Sequence, residues 1–342
     1  MAQDLDTFMA TMVGRPVPIE PALVERLALH AYGLEATAER LTGERDENFR
    51  MTAAGEQYVF KVANPAEDPL VAELPIAALL HVERVDPDFP SPRVRRDLMG
   101  RTHIQFNDST GLARTGRLVT YLSGKPLMSA VRSPQQRLNC GRIAARLGRA
   151  LRDFEHPANR RVLAWDLRNV LKLHRLLEDL PDLPQADFVG DFITRFTTDV
   201  APRLAATRHQ FVHNDLNSSN VLVDPADETV VAGIIDFGDS VYTALVADVA
   251  IAAVAQISDI ATAPESISDL VRGYEEIEPL LATELEILNW LIAARVVVAV
   301  LIRYWHRSRN PQENHFAALD AELILSRMEL ARWLMTHPYR PI

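Results

Sequence analysis

The chain has 342 residues, with 36 lysines and arginines against 46 aspartates and glutamates, a formal net charge of −10 at pH 7 and 48% hydrophobic residues. This length suits about two domains, and the hydrophobic fraction is sufficient for a buried core. The acidic balance argues against general nucleic-acid binding, which relies on basic surface. Cys140 is the only cysteine, which excludes an internal disulfide and a cysteine-based zinc site. The cysteine content fits a reducing cytoplasm, and we expect no signal peptide because the N-terminal segment lacks a basic region followed by an apolar run.

Strand-like segments dominate the first third of the chain. After a loosely ordered lead at residues 1–18, a helix is predicted to begin at Pro21 and to end at Gly33. Strands are expected around 36–41, 48–52 and 57–62, and Ala54-Gly55 suits a hairpin turn between the last two. A helix is predicted over 68–84, followed by strands near 93–96, 103–106 and 117–122.

Helical patterns dominate the rest of the chain. Ser133 and Pro134 have the residue types of an N-cap and a first helical position, and they begin a long amphipathic helix to about residue 155. More helix is expected to about residue 180, from 185 to 206, and after Asp248. The most apolar region, 285–302, is interrupted by Glu286 and Arg295 among others, which favours a buried helix over a membrane span.

The stretch 211–238 carries the chemistry. It contains His213-Asn214-Asp215, then Asn220 before one apolar strand, and Asp236-Phe237-Gly238 after a second. Phosphoryl transfer needs a carboxylate facing the attacking hydroxyl, and we assign Asp215 to that role. It also needs oxygen ligands for magnesium, which we assign to Asn220 and Asp236. A surface hairpin rich in turn-forming Asp and Asn is the alternative, but two motifs in this order favour the functional interpretation.

This stretch resembles the H-R-D-x-x-x-x-N catalytic loop and the D-F-G motif of the protein-kinase-like superfamily. Asn214 stands where protein kinases often carry Arg, and no A-P-E follows Gly238, so control through an activation loop is not expected. The chain continues directly to Asp248-Val249-Ala250, as in the aminoglycoside phosphotransferase and choline kinase branch, which acts on small molecules. The resemblance implies that Asp248 braces the catalytic loop near His213.

The same resemblance implies an α+β, two-lobed protein-kinase-like fold. Residues 1–122 would form an N-terminal nucleotide-binding lobe with a small antiparallel sheet. Residues 123–342 would form a larger, mainly helical C-terminal lobe that carries catalysis and substrate binding. A helical insertion at about 133–206 lies between the lobe junction and the catalytic loop, and in this branch such insertions build the substrate pocket.

A nucleotide site is implied in the N-terminal lobe. Val59-Phe60-Lys61-Val62 resembles the V-A-I-K strand, whose lysine contacts the α- and β-phosphates. The glutamate expected to pair with Lys61 is Glu73, with Glu67 and Glu83 as rivals. The turn at 42–48 would cover the phosphates through backbone N–H groups. The stretch 117–122 resembles the hinge between lobes. The implied nucleotide-binding residues are Gly43, Arg45, Asn48, Lys61, Tyr121 and Leu122.

Two further stretches, 41–50 and 153–157 with 165–167, resemble hydroxylysine kinase-like proteins within the branch. The resemblance implies a small-molecule kinase that uses Mg²⁺ and either ATP or GTP to phosphorylate a hydroxyl of an amine-bearing compound such as hydroxylysine. Homoserine, choline or ethanolamine, and aminoglycosides are alternative acceptors. A catalytically inactive kinase-like binding protein is a further alternative, although Lys61, Asp215, Asn220 and Asp236 are all present. We expect neither nucleic acid nor a membrane as a partner, and the sequence does not predict the oligomeric state.

The acceptor site is predicted from charge and aromatic character. Asp166 and Asp239 are candidates for an ammonium group, Trp165 and Tyr304 for an aromatic wall, and Arg303 for a carboxylate. Each has a structural alternative: Trp165 as a packing residue, Asp166 as a helix cap, and Arg303 with its neighbours as part of an outer helix face.

Overall fold

The computed structural model describes residues 18–43, 45–309 and 320–340; apart from Pro18, the lead expected at 1–18 lies outside these ranges. The N-terminal part is an antiparallel sheet in the order β1-β2-β3-β6-β4, with β5 paired to β6. Helix α1 precedes the sheet, and α2 connects β3 to β4. The elements are α1 (Pro21–Tyr32), β1 (Thr37–Leu41), β2 (Glu47–Ala53), β3 (Glu56–Val62), α2 (Pro69–Val85), β4 (Val94–Arg95), β5 (Ile104–Asn107) and β6 (Ala113–Thr120).

Local sequence signals set the ends of these elements. Helix α1 has Pro21 in its first turn and ends at Gly33, whose φ of 67° is the left-handed conformation that glycine adopts without strain. The β2–β3 hairpin turns at Ala54 (φ 47°) and Gly55 (φ 87°), as a two-residue turn with two left-handed residues requires. Asp68 caps α2 by accepting a hydrogen bond from the Leu70 N–H at 2.9 Å.

The C-terminal part is mainly helical, with two small antiparallel sheets. One sheet has the order β10-β9-β7 and the other pairs β11 with β8. The strands are β7 (Lys125–Pro126), β8 (His209–Val212), β9 (Val221–Val223), β10 (Val231–Ile234) and β11 (Val241–Ala244). The α-helices are α3 (Pro134–Leu151), α4 (Ala186–Arg195), α5 (Ala201–Ala205), α6 (Leu245–Val254), α7 (Ala263–Glu275), α8 (Ala282–Arg309) and α9 (Ala321–Thr336).

The two helical stretches predicted to about residue 180 and from 185 to 206 are less regular than expected. Leu167–Leu177 is 3₁₀-helical, and Phe196–Val200 forms a π-helical turn between α4 and α5. Pro202 lies in the first turn of α5. Because proline has no N–H to donate to the preceding turn, the backbone bonding pattern changes just before it.

Helix α8 contains the apolar region 285–302. Within the described ranges it is the one helix with the length and composition of a membrane span, but 78% of its most apolar window is buried inside the protein. Ile292, Val296 and Leu301 are among its residues with at most 2% exposure. The helix therefore forms the centre of the C-terminal core, as a buried helix was expected to do.

Two hydrophobic clusters define the lobes. The smaller cluster joins α1 to the sheet through residues such as Val24, Phe49 and Phe60. The larger one fills the helical part and includes Leu74 and Ala78 of α2. The predicted α+β architecture, with an antiparallel-sheet lobe followed by a mainly helical lobe, is confirmed. Strand β6 ends at Thr120, and the next strand, β7, pairs with β9 instead of the first sheet, so we retain 1–122 and 123–342 as the proposed division.

Candidate active site

Two nested hairpins place the motif residues. The outer pair, β8 with β11, encloses the segment from His213 to Ser240, and the inner pair, β9 with β10, lies within it. Asn220 comes directly before β9, and Asp236 lies two residues after β10. The Ile235 N–H donates to the Asn220 carbonyl at 2.9 Å, so the backbones of the two predicted metal ligands run side by side.

A cleft between the sheet and these hairpins collects most of the predicted catalytic and phosphate-binding residues. Both lobes contribute to its lining, and its two apolar contributions come from α2. The lining residues are Arg45, Asp46, Asn48, Lys61, Glu67, Val71, Pro75, Arg117, Asp215, Asp236, Gly238 and Asp239.

The Asp215 carboxylate is held from three sides. Asn217 Nδ2 and Arg295 Nη2 each donate to Oδ1 at 2.9 Å, and Asn220 Nδ2 donates to Oδ2 at 2.7 Å. Burial raises the pKa of Asp215; Arg295 opposes the rise, and the negative charges of Asp239 and Asp236 add to it. A carboxylate with a raised pKa is a better proton acceptor, as the role predicted for Asp215 requires.

Buried neighbours fix the loop that carries Asp215. His213 is fully buried, its Nε2–H donates to the Ile235 carbonyl at 3.1 Å, and its Nδ1 accepts the Asp215 N–H at 3.3 Å. Burial lowers the pKa of His213 to about 4, so the ring is neutral, as these bonds require. The Asn214 N–H donates to Asp248 Oδ1 at 2.7 Å, and Asn214 has a left-handed φ of 62°. Asp248 thus contacts the loop where the resemblance placed it.

Lys61 meets Asp236 across the cleft, with Nζ 3.0 Å from Oδ1. The positive charge of Lys61 is the first cause that lowers the pKa of Asp236, so this carboxylate is ionised. Asp236 Oδ1 also accepts the Gly238 N–H at 3.3 Å, and Oδ2 makes no hydrogen bond to the described residues. Asn220 Nδ2 is taken by the backbone and side chain of Asp215, which leaves its carbonyl oxygen as an acceptor.

Asp236 Oδ2 and the Asn220 carbonyl oxygen are hard oxygen ligands of the kind that Mg²⁺ prefers, so the residues present fit this ion. Across the described ranges, no cluster of three His, Cys, Asp or Glu side chains is arranged to hold a metal. Two protein ligands suit a magnesium ion that is shared with nucleotide phosphates.

The turn before β2 folds over the cleft. A Cβ atom on Gly43 would lie 2.2 Å from the Asp46 carbonyl oxygen and 2.4 Å from Asn48 Nδ2, so this turn requires glycine. Asn48 is opposite Lys61 in the β2–β3 ladder. The Arg45 guanidinium donates to Asp239 Oδ1, which closes the turn onto the C-terminal lobe.

The predicted pair between Glu73 and Lys61 is not present among the ion pairs of the described residues. Glu73 Oε1 is instead 3.8 Å from His103 Nε2, and the Glu73 side chain is 42% exposed. The reason is helical phase: α2 turns Val71 and Pro75 toward the cleft, and residue 73 is about 200° around the axis from residue 71. Of the two rivals, Glu67 lines the cleft.

Three arginines near the motifs were not predicted. Arg295 on α8 holds Asp215, and its guanidinium lies 4.5 Å from the centre of the Trp165 ring. Arg161 donates to the carbonyls of Gly238 and Ser240. Arg117 is opposite Lys61 in the β3–β6 ladder and donates to Asp46 at 2.7 Å. In the sequence, all three lie in or beside apolar runs. A charged residue in such a run is expected to be buried, and a buried charge needs a partner. This pattern could have identified the three arginines.

The predicted acceptor residues separate into two groups. Asp239 lines the cleft, whereas Trp165 is buried beneath Arg295. Asp166 is 1% exposed and accepts hydrogen bonds from the Arg168 backbone and guanidinium and from Thr243 Oγ1 at 2.8 Å. It therefore has the role of a helix cap, and its carboxylate is not open to a substrate ammonium group.

The remaining predicted residues lie outside the cleft lining. Arg303 is exposed near the C-terminal end of α8. The Tyr304 hydroxyl donates a hydrogen bond to the Asp182 carbonyl at 2.9 Å. At the lobe junction, the Tyr121 N–H donates to the Gln57 carbonyl at 3.1 Å. Leu122 packs over Gly233, where a Cβ atom would lie 2.6 Å from Leu122 Cδ1.

Residues 37–284 match the model of the APH family, described as the phosphotransferase enzyme family. The chain belongs to this family. Hydroxylysine kinase of Mus musculus is 28% identical over 305 residues, which cover 82% of this chain and 81% of that protein. The chain is therefore a small-molecule kinase that transfers phosphate from a nucleotide to an alcohol group.

Solved structures confirm the protein-kinase-like fold. Amicoumacin kinase, in complex with AMP-PNP, Ca²⁺ and Ami, superposes with a TM-score of 0.66 at 14% identity over 94% of this chain and 96% of that one. A microcompartment-associated aminopropanol kinase gives 0.63 at 16% identity over 94% and 100%. At these identities the likeness concerns the fold alone.

Proposed function

We propose that the protein phosphorylates the hydroxyl of an amine-bearing small molecule, with hydroxylysine as the first candidate, and that Asp215 accepts or orients the hydroxyl proton. The observation that carries this proposal is the three-sided hold on Asp215 by Arg295, Asn217 and Asn220 in the cleft that also contains Lys61. The similarity to hydroxylysine kinases supports the choice of acceptor.

Each residue has one task in this reaction. Lys61 binds the donor phosphates, and the turn at Gly43 and Arg45 covers them. Asn220 and Asp236 would hold Mg²⁺, which supplies positive charge to the transferring phosphoryl group. Asp215 positions the acceptor oxygen for in-line attack and takes up its proton. The neutral His213 ring and Asp248 keep the loop in this position.

The donor is ATP or GTP. The junction residues Tyr121 and Leu122 would contact the purine edge through backbone groups. The identities of their side chains therefore do not indicate whether the purine is adenine or guanine. We further propose that the protein acts in the cytoplasm, without nucleic acid or a membrane as a partner, as the acidic charge and single cysteine suggest.

A donor-consumption screen tests the proposal. Purified protein with Mg²⁺ is supplied with ATP and GTP separately, and hydroxylysine, homoserine, aminopropanol, ethanolamine, choline and an aminoglycoside are compared with amine-free polyols. The expected result is turnover that requires the amine and is highest with hydroxylysine. Efficient phosphorylation of amine-free sugars alone would contradict the acceptor class. The Asp215→Asn variant controls for contaminating kinases.

A further inference from the structure

One ion pair joins the turn over the phosphates to the segment after the proposed metal ligand. Arg45 and Asp239 are 194 residues apart in the chain and are hydrogen bonded through Nη2 and Oδ1. Their side chains are only 16% and 11% exposed. Both line the cleft together with Lys61, Asp215 and Asp236, so the pair lies where donor phosphates and acceptor must meet.

Donor phosphates compete with Asp239 for Arg45. A guanidinium presents its N–H groups in a fixed fork that matches phosphate oxygens, and Arg45 belongs to the turn assigned to cover the phosphates in the proposed function. A Cβ atom on Gly238 would lie 3.1 Å from Asp236 Oδ1 and 3.4 Å from Arg45 Nη2, so the guanidinium lies close to the proposed metal ligand, and its charge is among the causes that lower the pKa of Asp236. A nucleotide bound in the cleft would therefore compete with Asp239 for Arg45.

The loss of Arg45 leaves Asp239 as a buried charge without its partner. Asp239 lines the same cleft as Asp215, and its negative charge adds to the raised pKa of Asp215. Arg161 holds the carbonyls of Gly238 and Ser240 on either side of Asp239, so the backbone at this position is fixed. The charge of Arg161 also acts on Asp239, but its Nη2 donates to the two neighbouring carbonyls. A buried carboxylate that has lost its hydrogen-bonded partner is destabilised, and a cation from outside the protein restores the pair.

We propose that Asp239 is an exchange site, occupied by Arg45 without donor and by the ammonium group of the acceptor once donor phosphates have taken Arg45. This rests on the proposed function for the amine in the acceptor. It makes Asp239 the residue that selects amine-bearing acceptors, and it links the binding of the two substrates: donor binding increases acceptor affinity, and the reverse holds by the same factor.

The Asp239→Asn variant tests the exchange. Donor affinity is measured by calorimetry with Mg²⁺ and a non-hydrolysable ATP or GTP analogue, and hydroxylysine KM by donor consumption. Donor Kd is expected to fall about fivefold because Asp239 no longer competes for Arg45. Hydroxylysine KM is expected to rise about 30-fold because the ammonium loses a charge-assisted hydrogen bond. A general loss of structure would weaken the binding of both substrates, so it would not lower donor Kd while it raises hydroxylysine KM.

Two further variants separate the exchange from a simple change of charge. In an Arg45→Met background, Asp239→Asn should no longer tighten donor binding, and donor should no longer increase acceptor affinity. Asp269→Asn is the matched control, since Asp269 is also 11% exposed and pairs with Arg137 at 2.7 Å, outside the cleft. This control should change neither constant.

Weaker binding of both substrates by the Asp239→Asn variant, or no change in donor Kd and hydroxylysine KM, would overturn the exchange. Donor tightening that persists with Arg45→Met would do the same. The donor measurement needs no acceptor, so the two proposals fail separately. Turnover of amine-free acceptors alone refutes the proposed function, whereas amine-dependent turnover with unchanged constants in Asp239→Asn refutes only the exchange.

Discussion

Arg295→Met should shift the pH dependence of turnover. Arg295 Nη2 lies 2.9 Å from Asp215 Oδ1, and Arg295 is 7% exposed. A hydrogen bond to a charged group contributes about 1.5–3 kcal/mol. Because one pKa unit corresponds to about 1.4 kcal/mol, removal of this bond should raise the pKa of Asp215 by about one to two units.

The direction follows from the causes already acting on Asp215. Burial raises its pKa and Arg295 lowers it, so the variant retains only the influence that favours the protonated form. The active form is the carboxylate. The acid limb of kcat should therefore move to higher pH, and at a pH below both pKa values kcat should fall by about 100-fold for a two-unit shift.

The assay is donor consumption with the best acceptor from the screen, measured across the pH range for wild type, Arg295→Met and Arg295→Lys. Methionine keeps apolar contact with the Trp165 ring, and lysine keeps the charge without the planar fork, so Arg295→Lys should lie between the other two. Arg137→Met, which breaks a similarly buried ion pair outside the cleft, should leave the profile unchanged. A profile of Arg295→Met that superimposes on wild type, or a loss that is equal at every pH, would refute the reasoning.

Three more predictions concern the site. Asp215→Asn should remove most turnover and leave donor Kd nearly unchanged, whereas Asp236→Ala should weaken Mg²⁺-dependent donor binding; equal loss of donor affinity in both would contradict the roles. Asp166→Ala should destabilise the protein by about 1 kcal/mol or more through loss of the cap and leave acceptor KM unchanged, as thermal unfolding and kinetics will show; a raised acceptor KM would reopen a substrate role. Glu67→Gln should alter donor KM more than Glu73→Gln does, because only Glu67 lines the cleft, and the reverse order would restore the predicted Glu73 pair.

Several features of the fold could be predicted because their causes are local. Pro21 and Gly33 bound a helix through fixed backbone preferences, and Ala54-Gly55 turns a hairpin because both residues adopt left-handed conformations. The motif formed by His213, Asp215, Asn220 and Asp236 could be recognised in the sequence for the same reason. Short loops and one hairpin join these residues, so their spacing in the chain nearly defines their arrangement in space.

Helical phase limited what could be predicted in the N-terminal lobe. The sequence offered Glu67, Glu73 and Glu83 as partners for Lys61, and their spacing alone does not say which faces the sheet. The start of α2 at Pro69 and the burial of one side against the large core decide the rotation of the helix. Glu73 then lies on a partly exposed stripe instead of in the cleft.

The chain by itself determined the phosphotransferase motifs, the lobe order and the identity of the carboxylates that we propose to face the reaction. Only the tertiary structure decided which distant groups surround them. Arg295 reaches Asp215 across 80 residues, and Arg161 reaches Gly238 across 77, because packing of the helical core brings those helices and loops to the hairpins. Asp166 and Asp239 have the same side chain, yet core packing turned one into a buried cap and left the other in the cleft. Contacts of this range depend on how apolar faces pack together, and no local pattern in the sequence encodes them.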